Sequence, residues 1–567
     1  MAKKKNENTL QYLQMPLPEG GKYSRMAKNV FGGLNNRYTI DSGELSMESN
    51  ISTNDYPYLT PSSQKIKIMS GYKKPISMFA FEDFIIVIYG DDDAIRMDYI
   101  TSDSDVFTST LKSSGATDED YVQRSIVQFN QYIESDDIVN GEYVKKLLIF
   151  PDKMSMDFKV TRDDFAIDSM DVDIKTYKND TAPYLPPDTA SHNFYYKNTS
   201  TEAAKSEETL YGKAIYKWVD DETDSGKSGW KISIPPTFPD IKYATVHLSR
   251  LFGVSDDCVY ASGFNDYTNW SYDTIDEYNE ANSWFSQTQS NTKAGGDFTG
   301  ITTFDSHVIC FKRDFMHEIY NTKNPFRIQD IYAEGCIDNR TIQNVDGKLI
   351  FVSDDDVKIY TGSNPRVIGY NLNMPQYEYA VSGTDNRNYY LYCEDKSGIK
   401  HLYVYDTFTE MWSEQAITDR VLSFAHNKNG MYMLCSNGYV YKMDSVFYRH
   451  NWSFETDLIT SRTVNIKHIK KLQMLVDIPE TINGFQNHSD DLGNKANMRV
   501  YILYDDEVFN ENKSHLVYES KKYGRLPIRV KPRKTANYGF KLHFEGAGYV
   551  KLYELEMFIE SGGDMYV

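Results

Sequence analysis

The sequence has no long hydrophobic run. No stretch of its 567 residues approaches the roughly 18 consecutive apolar residues that a transmembrane helix requires. The basic segment from Met1 to Lys5 is followed by Asn-Glu-Asn instead of an apolar segment, which excludes a secretory signal peptide. These two absences predict a soluble protein that is made in the cytoplasm.

Cysteine is also scarce. The chain has five cysteines, an odd number at wide spacing, and none of them belongs to a Cys-x-x-Cys pair. This pattern excludes a regular disulfide framework. It predicts reduced thiols, most of them buried as small apolar side chains, at Cys258, Cys310, Cys336, Cys393 and Cys435.

Positive charge is in deficit. The chain has 61 Lys and Arg against 81 Asp and Glu, which gives a formal net charge of −20. Tight binding of nucleic acid by such a chain is not expected, because phosphate binding requires a surplus of Lys and Arg on the contacting face. An acidic wall could still line a DNA channel, since like charges keep a passing polyanion from adhering.

The common catalytic and metal-binding motifs are missing. The 11 His are scattered, with no His-Glu-x-x-His string and no His and Cys at zinc spacing. There is no Gly-x-Ser-x-Gly, no phosphate-binding loop and no Gly-x-Gly-x-x-Gly after a strand. The sequence therefore predicts no catalytic, cofactor-binding or metal-binding residues, no cofactor and no enzyme activity. A carboxylate pair of the kind that glycosidases use remains possible among the many acidic residues.

The string Tyr89-Gly90-Asp91-Asp92 is the most suggestive exception. In viral RNA polymerases a hairpin of these four residue types presents paired carboxylates to two metal ions. A polymerase would also need an upstream strand with a further metal-binding Asp and a helical region, and only about ninety residues precede this string. A plain hairpin turn is the favoured interpretation.

Two further carboxylate clusters, Asp354-Asp355-Asp356 and Asp103-Ser104-Asp105, offer the oxygen ligands that Ca²⁺ prefers. Neither has the spacing or the closing Glu of an EF-hand loop. We expect both to be solvated turns.

Aromatic residues are abundant and indicate the fold class. The chain contains 45 Tyr and 29 Phe, which suit half-buried sheet faces, and its length exceeds what a single hydrophobic core supports. Between residues 296 and 446 a short strand, a turn and a second aromatic strand recur about every forty residues, the length of a propeller blade. The sequence predicts an all-β protein, a β-propeller of six to eight blades with an inserted subdomain and a C-terminal β-sandwich.

The pattern divides the chain into six segments. A stretch rich in Ser, Thr, Glu and Pro interrupts the repeat, and the repeat itself gives way to longer alternating strands near residue 447. The predicted order is a flexible N-terminal arm (1–28), an extended lead-in (29–71), propeller blades (72–164), an inserted subdomain (165–240), further propeller blades (241–446) and a C-terminal β-sandwich (447–567).

The string from Tyr405 to Trp412 is similar to the strand endings of kelch blades, where an aromatic side chain packs between neighbouring sheets. Packing between blades is the preferred interpretation. A kelch-type interaction propeller is one alternative function, although a kelch protein would have near-regular blades without a long insertion.

Three strings together resemble the tail-hub or nozzle propellers of bacteriophages, the family that includes tail tubular protein B and the packaged-DNA stabilisation protein of short-tailed phages. They run from Arg250 to Trp270, from Val308 to Tyr320 and from Gly335 to Tyr360. The match is best over about 240 to 450.

The resemblance implies a structural protein of the virion tail that forms a homo-oligomeric ring, with a hexamer favoured. Such a ring would continue the DNA-exit channel below the portal and its adaptor, contact the adaptor ring and tail fibres, and let genomic DNA pass without sequence-specific binding. The acidic balance suits that role. The enzyme alternative is a propeller that degrades host glycans.

Overall fold

Short apolar runs separated by Asp, Asn and Gly fold almost entirely into β-strands. In the first blade, for example, Asp92 adopts a left-handed φ of 55° and turns strand Phe84–Asp91 back into strand Ala94–Ile100. The described residues contain no α-helix and only three 3₁₀ helices, at Asp118–Asp120, Asn339–Thr341 and Gly369–Leu372. No helix in this part of the chain is long and apolar enough to cross a membrane.

A computed structural model describes most of the chain between residues 24 and 561. The described residues are 24–28, 31–37, 44–133, 142–161, 164–171, 174–181, 184–187, 189–191, 195–200, 215–219, 228–232, 237–270, 282–287, 296–331, 335–372, 377–445, 448, 450–459, 466–487, 496–504, 514–532 and 536–561.

The chain forms two compact units. Unit 1 comprises Met1–Val106, Ser114–Tyr121 and Ala333–Val567, and unit 2 comprises Phe107–Ser113 and Val122–Tyr332. The chain therefore passes from unit 1 to unit 2 within strand Val106–Lys112, returns to unit 1 at Ser114–Tyr121, and runs through unit 2 from Val122 to Tyr332.

In the described part of the chain, seven four-stranded sheets are blades of the β-propeller type, which confirms the predicted fold class. Six of them use four strands in chain order. These are blade 1 (Lys74–Phe81, Phe84–Asp91, Ala94–Ile100, Val106–Lys112), blade 2 (Ser125–Ile133, Glu142–Phe150, Met154–Asp157, Asp168–Ser169), blade 3 (Tyr243–His247, Arg250–Ser255, Cys258–Ala261, Trp284–Gln287), blade 4 (Phe298–Phe304, His307–Lys312, Met316–Tyr320, Arg327–Ile331), blade 5 (Gln343–Val345, Lys348–Val352, Val357–Tyr360, Arg366–Val367) and blade 6 (Tyr377–Thr384, Asn388–Asp395, Lys400–Asp406, Met411–Glu414).

Blade 7 is built differently. Its strands Val421–Asn427, Gly430–Cys435 and Val440–Lys442 are followed in the sheet by Ile66–Met69, which precedes blade 1 in the chain. The first and last blades also share a core in which Met78 and Val87 pack with Leu434 and Val440. The exchanged strand thus ties the start of the repeat to its end.

Within each unit, consecutive blades bury apolar faces against each other. In unit 1, Ile350 and Val352 of blade 5 share a core with Leu391 and Trp412 of blade 6. In unit 2, Phe129 and Phe150 of blade 2 pack against Leu251 of blade 3, and blades 3 and 4 share a further core. Each blade sheet depends on this packing for its stability, because both of its faces are apolar and one sheet alone would expose them to water.

A separate sheet lies in the chain between blades 2 and 3. Its strands are Ile174–Tyr177, Tyr195–Asn198, Ile215–Val219 and Gly229–Ile232, and its first two strands run parallel, unlike the antiparallel pairs of blade 3. The predicted subdomain at 165–240 covers this sheet. However, Asp168–Ser169 pairs with Met154–Asp157 and belongs to blade 2, so the boundary at 165 was placed too early.

The C-terminal sandwich contains two five-stranded sheets around one core that includes Val500, Ile502 and Phe544. One sheet contains Ser24–Lys28, Lys551–Ser561, Lys467–Ile478, Gly524–Val530 and Ala536–Asn537. The other contains Leu45–Ser49, Asn451–Thr456, Phe540–Ala547, Asn497–Tyr504 and His515–Glu519. Two small hairpins pair Ile51–Ser52 with Thr60–Pro61, and Thr481–Ile482 with Phe485–Gln486.

The predicted flexible arm was wrong at its end, and the extended lead-in contributes strands to two sheets. The segment at 1–28, predicted to be a flexible arm, ends in strand Ser24–Lys28, which pairs with Lys551–Ser561; residues 1–23 lie outside the described part. The lead-in contributes strand Leu45–Ser49 to the sandwich and Ile66–Met69 to blade 7. These strands are short, and their pairing partners lie hundreds of residues away, so local periodicity could not identify them.

Candidate functional site

The Tyr89 to Asp92 string forms a hairpin in blade 1, as predicted. Lys73 lies 3.0 Å and Arg96 3.1 Å from the Asp91 carboxylate, and the hydrogen bond from Lys73 lowers the pKa of Asp91. The Tyr89 hydroxyl donates to Asp98 at 3.2 Å. Asp91 is therefore held by two cations of its own chain, which is the arrangement of an anchored turn.

Gly90 in this string has a packing role. A Cβ atom at this position would lie 2.4 Å from the ring of Tyr121, whose hydroxyl donates to the carbonyl of Asp92 at 3.2 Å. Only glycine leaves room for that ring to cover the hairpin.

The other carboxylate clusters are also turns. In blade 5 the Ser353 amide donates to the carbonyl of Asp356 at 2.9 Å, and Lys358 lies 3.4 Å from Asp355. In blade 1 the amide of Asp105 donates to the hydroxyl of Thr101 at 3.2 Å. Among the described residues, no group of three or more His, Cys, Asp or Glu side chains is placed to hold a metal ion.

The string ending at Trp412 joins two blades, as predicted. Trp412 is 2% exposed, packs in the core between blades 5 and 6, and donates its indole N–H to the carbonyl of Ile368 at 2.7 Å. Phe408, in the turn of the same string, is by contrast 70% exposed.

The cysteines are free thiols, as predicted, and all but Cys258 are buried. Burial raises the pKa of both Cys336 and Cys435 to about 12. Their thiolate forms are therefore scarce at neutral pH, and these thiols are poor nucleophiles.

Unit 1 contains a polar cleft of about 210 Å³ that no sequence motif indicated. Its walls come from residues 51–55 and 60–63 of the lead-in, from blade 6, and from Asp444, Tyr448 and Tyr549. We call this feature the polar cleft. Its segments are far apart in the chain, so sequence reasoning had no signal to find it.

Asp385 forms the blade 6 side of the cleft and anchors a turn. One of its oxygens accepts from the amides of Arg387 and Asn388, and the other accepts from the Asn388 side chain and the Tyr390 hydroxyl. Burial and the neighbouring Asp385 raise the pKa of Tyr390 well above its usual range. Asp385 is thus fully hydrogen-bonded within the protein, and Tyr390 stays a neutral donor.

Asp55 forms the opposite side of the cleft. It accepts from the Tyr549 hydroxyl at 3.3 Å and from the Lys551 ammonium at 3.4 Å, both through the same oxygen. The rings of Tyr448 and Tyr549 meet edge to face at 5.0 Å. This wall combines a carboxylate with two aromatic surfaces.

The rim next to this wall carries an arginine and an exposed aromatic ring. Arg387 donates to the buried carboxylate of Asp406 at 2.7 Å and to the carbonyl of Asn54, a cleft residue, at 3.4 Å. The Phe408 ring lies 5.3 Å from the guanidinium of Arg387. Phe408 is therefore linked to the cleft residue Asn54 through Arg387.

Buried ionisable residues lie behind the lead-in. Glu48 is 3% exposed, and neither of its carboxyl oxygens has a hydrogen-bond partner within the described part of the chain. Burial and the nearby Glu414 carboxylate raise the pKa of Glu48 well above its usual range. Glu414 is itself paired with His401 at 2.8 Å.

His450 gives the protein a predicted acid sensitivity. Burial, and secondarily the charge of Lys65, lower the pKa of His450 from 6.5 to about 4. The unfolded chain takes up this proton first as the pH falls, so stability is lost between about pH 6.5 and pH 4. We expect the loss to reach about 3 kcal/mol, from 1.36 kcal/mol per pKa unit.

The measurement is urea unfolding of the parent and of His450→Gln at several pH values. The stability difference between them should shift in favour of the variant as the pH falls from 7 to 4. A constant difference over that range would show that His450 does not cause the acid sensitivity.

Comparisons with known proteins assign no family to the chain. No protein-family model matches it, and no curated protein matches it. The crystal structure of BamB from Moraxella catarrhalis is 8% identical with a TM-score of 0.32, and the match covers 70% of this chain and 96% of BamB. The uncomplexed acylaminoacyl peptidase of Pyrococcus horikoshii is 7% identical with a TM-score of 0.30, and the match covers 69% of this chain and 59% of the peptidase. At these values neither structure bears on what the protein does.

Proposed function

We propose that the protein is a structural component of a bacteriophage tail, a tail hub or nozzle. In this role it forms a homo-oligomeric ring, with six copies favoured, that continues the DNA-exit channel below the portal and adaptor. The protein would be synthesised in the host cytoplasm and incorporated into the virion, and it would act without catalysis or a cofactor.

The observation that carries the proposal is the position of the three strings that resemble this family. They fall on blades 3, 4 and 5. The first two start in the second strands of their blades, Arg250–Ser255 and His307–Lys312, whereas the third starts before the first strand of blade 5 and includes its second strand, Lys348–Val352. Sequence likeness that includes the second strand of three successive blades favours a shared architecture over chance matches of short strings.

Residues of the first string, from Arg250 to Trp270, have packing and hydrogen-bonding roles in the blades. The buried Arg250 guanidinium donates to the carbonyls of Ser262 and Asn282 at 2.6 and 2.8 Å. Trp270, at the end of the string, packs in the core between blades 2 and 3. Arg250 thus fixes the inside of blade 3 and Trp270 holds two blades together, which are packing roles that suit a structural protein.

The charge balance supports a conduit for DNA. With a net charge of −20, the surface has few places where phosphates would be retained. We expect Asp and Glu to outnumber Lys and Arg on the positions that face the central channel of the ring, because DNA must pass without binding. A neutral or basic channel in the assembled ring would contradict this expectation.

Electron microscopy of the purified full-length chain tests the assembly, both alone and mixed with the adaptor protein encoded by the same genome. The expected result is a ring with six copies around an open channel in at least one of the two samples. If the chain stayed monomeric in both, the proposed ring would be wrong. Release of sugars from host polysaccharides by the same preparation would favour the glycan-degrading alternative.

A further inference from the structure

The polar cleft contains a hydroxyl group that the protein leaves unused. Ser62 follows the small strand Thr60–Pro61, is 5% exposed and lines the cleft. Its Oγ has no hydrogen-bond partner among the described residues. An unsatisfied buried hydroxyl costs about 1–3 kcal/mol, so a bound polar group at this position would remove that cost.

The charges of the cleft exclude an anionic ligand. Tyrosines aside, the ionisable residues on its walls are Asp55, Asp385 and Asp444. The nearby cation Arg387 is paired with Asp406, and the nearby cation Lys551 is paired with Asp55. A phosphate or carboxylate group in the cleft would meet acceptors of its own sign.

The same walls are a poor match for a metal ion. Asp385 accepts four hydrogen bonds from its own turn, and Asp55 already faces the Lys551 ammonium. Asp385 therefore has no acceptor position left, and the walls lack the several free oxygen ligands that a divalent cation requires. Asp55 makes both of its contacts through one oxygen, and its other oxygen can accept from a hydroxyl donor.

Aromatic surface completes the chemistry of the cleft. The Tyr448 and Tyr549 rings line the cleft, and the exposed Phe408 ring lies 5.3 Å from the guanidinium of Arg387, which donates to the carbonyl of Asn54 in the cleft. Polar acceptors beside aromatic faces match a sugar, which has hydroxyl donors around its edge and C–H groups on its faces. The volume of about 210 Å³ is below the roughly 300–1,000 Å³ of sites for drug-sized ligands and suits a single ring.

We propose that the polar cleft is a carbohydrate-binding site. One neutral sugar ring lies between the lead-in and blade 6, and one of its hydroxyl groups forms a hydrogen bond with Ser62 Oγ. A second sugar ring packs against Phe408. The site binds the sugar and does not cleave its glycosidic bond. This inference is independent of the tail function, because it depends only on the cleft in unit 1.

Saturation-transfer NMR titration of the full-length chain tests the proposal. The probes are glucose, galactose, N-acetylglucosamine, the disaccharide maltose, and spermidine as a cationic competitor. We expect saturation of at least one sugar and none of spermidine. Saturation of no sugar, or of spermidine alone, would overturn the proposal.

Variants locate the binding. Gln415 also lines the cleft. Ser62→Ala and Gln415→Ala should each weaken sugar binding about tenfold, the effect of losing one well-made hydrogen bond in a desolvated site. The matched control Ser70→Ala changes an exposed serine outside the cleft and should bind like the parent. Phe408→Ala should weaken maltose more than glucose. Unchanged binding in all three cleft variants would place the sugar elsewhere and contradict the proposal.

Folding of the Ser62 variant is a separate readout. Because Ser62 Oγ has no partner among the described residues, Ser62→Ala should leave thermal stability unchanged or slightly raised. A marked loss of stability would show that the hydroxyl serves the fold, and the assignment of a ligand to it would then be wrong.

Discussion

Replacing Trp412 with alanine is expected to lower the free energy of unfolding by about 3–5 kcal/mol, the range for removing a large buried aromatic side chain. Trp412 is 2% exposed and fills the core between blades 5 and 6, where Tyr403 and Tyr405 surround its ring. The substitution also leaves the carbonyl of Ile368 without its indole donor. The loss therefore combines a cavity with a broken hydrogen bond.

Hydrogen exchange measures this effect locally, which suits a chain of several domains that need not unfold in one step. Amides of strands Met411–Glu414 and Lys348–Val352 should exchange faster in Trp412→Ala, while the strands of unit 2 stay protected. Phe408→Ala is the matched control from the same string, because its exposed ring contributes little to the core. Equal protection in Trp412→Ala and in the parent would contradict the packing of blades 5 and 6.

Replacing Glu48 with glutamine is expected to stabilise the protein at neutral pH. A carboxyl group whose pKa is raised in the folded state resists ionisation there, whereas the unfolded chain ionises freely above its ordinary pKa of 4.5. Stability therefore falls as the pH rises from 4.5 toward the folded pKa. Glutamine has nearly the same shape and no proton to lose, so we expect a gain on the order of 1–3 kcal/mol at pH 7.

The pH profile separates this mechanism from a simple packing effect. The advantage of Glu48→Gln over the parent should be large at pH 7 and should shrink toward pH 4, where the unfolded parent is also protonated. Urea unfolding followed by circular dichroism at both pH values measures it. An advantage that does not change with pH would show that Glu48 ionises as freely in the folded protein as in the unfolded chain.

The blade repeat was predictable because its signal is local. Each hairpin pairs neighbouring runs of apolar residues across a short turn, as Lys348–Val352 does with Val357–Tyr360, and both runs and turns are visible in the sequence. The Trp412 string was interpretable for the same reason, since a large aromatic residue at a fixed place in a blade has few roles other than packing.

The long-range pairings were not predictable. Strand Leu45–Ser49 pairs with Asn451–Thr456 and strand Ile66–Met69 pairs with Val440–Lys442, and nothing within either pair of segments specifies the other. The polar cleft depends on the same pairings, because they bring Ser62 close to Asp385 and Tyr549. A lone buried serine also carries no chemical signature in a sequence.

The central claim is that this chain is built into a virus particle, and quantitative mass spectrometry of purified particles tests it most directly. The particles would be isolated by density gradient from the culture whose virus encodes the chain. The account predicts that the chain co-purifies with portal and adaptor at a constant ratio through the gradient. Absence of the chain from intact particles, with the chain recovered only in the soluble lysate, would contradict it.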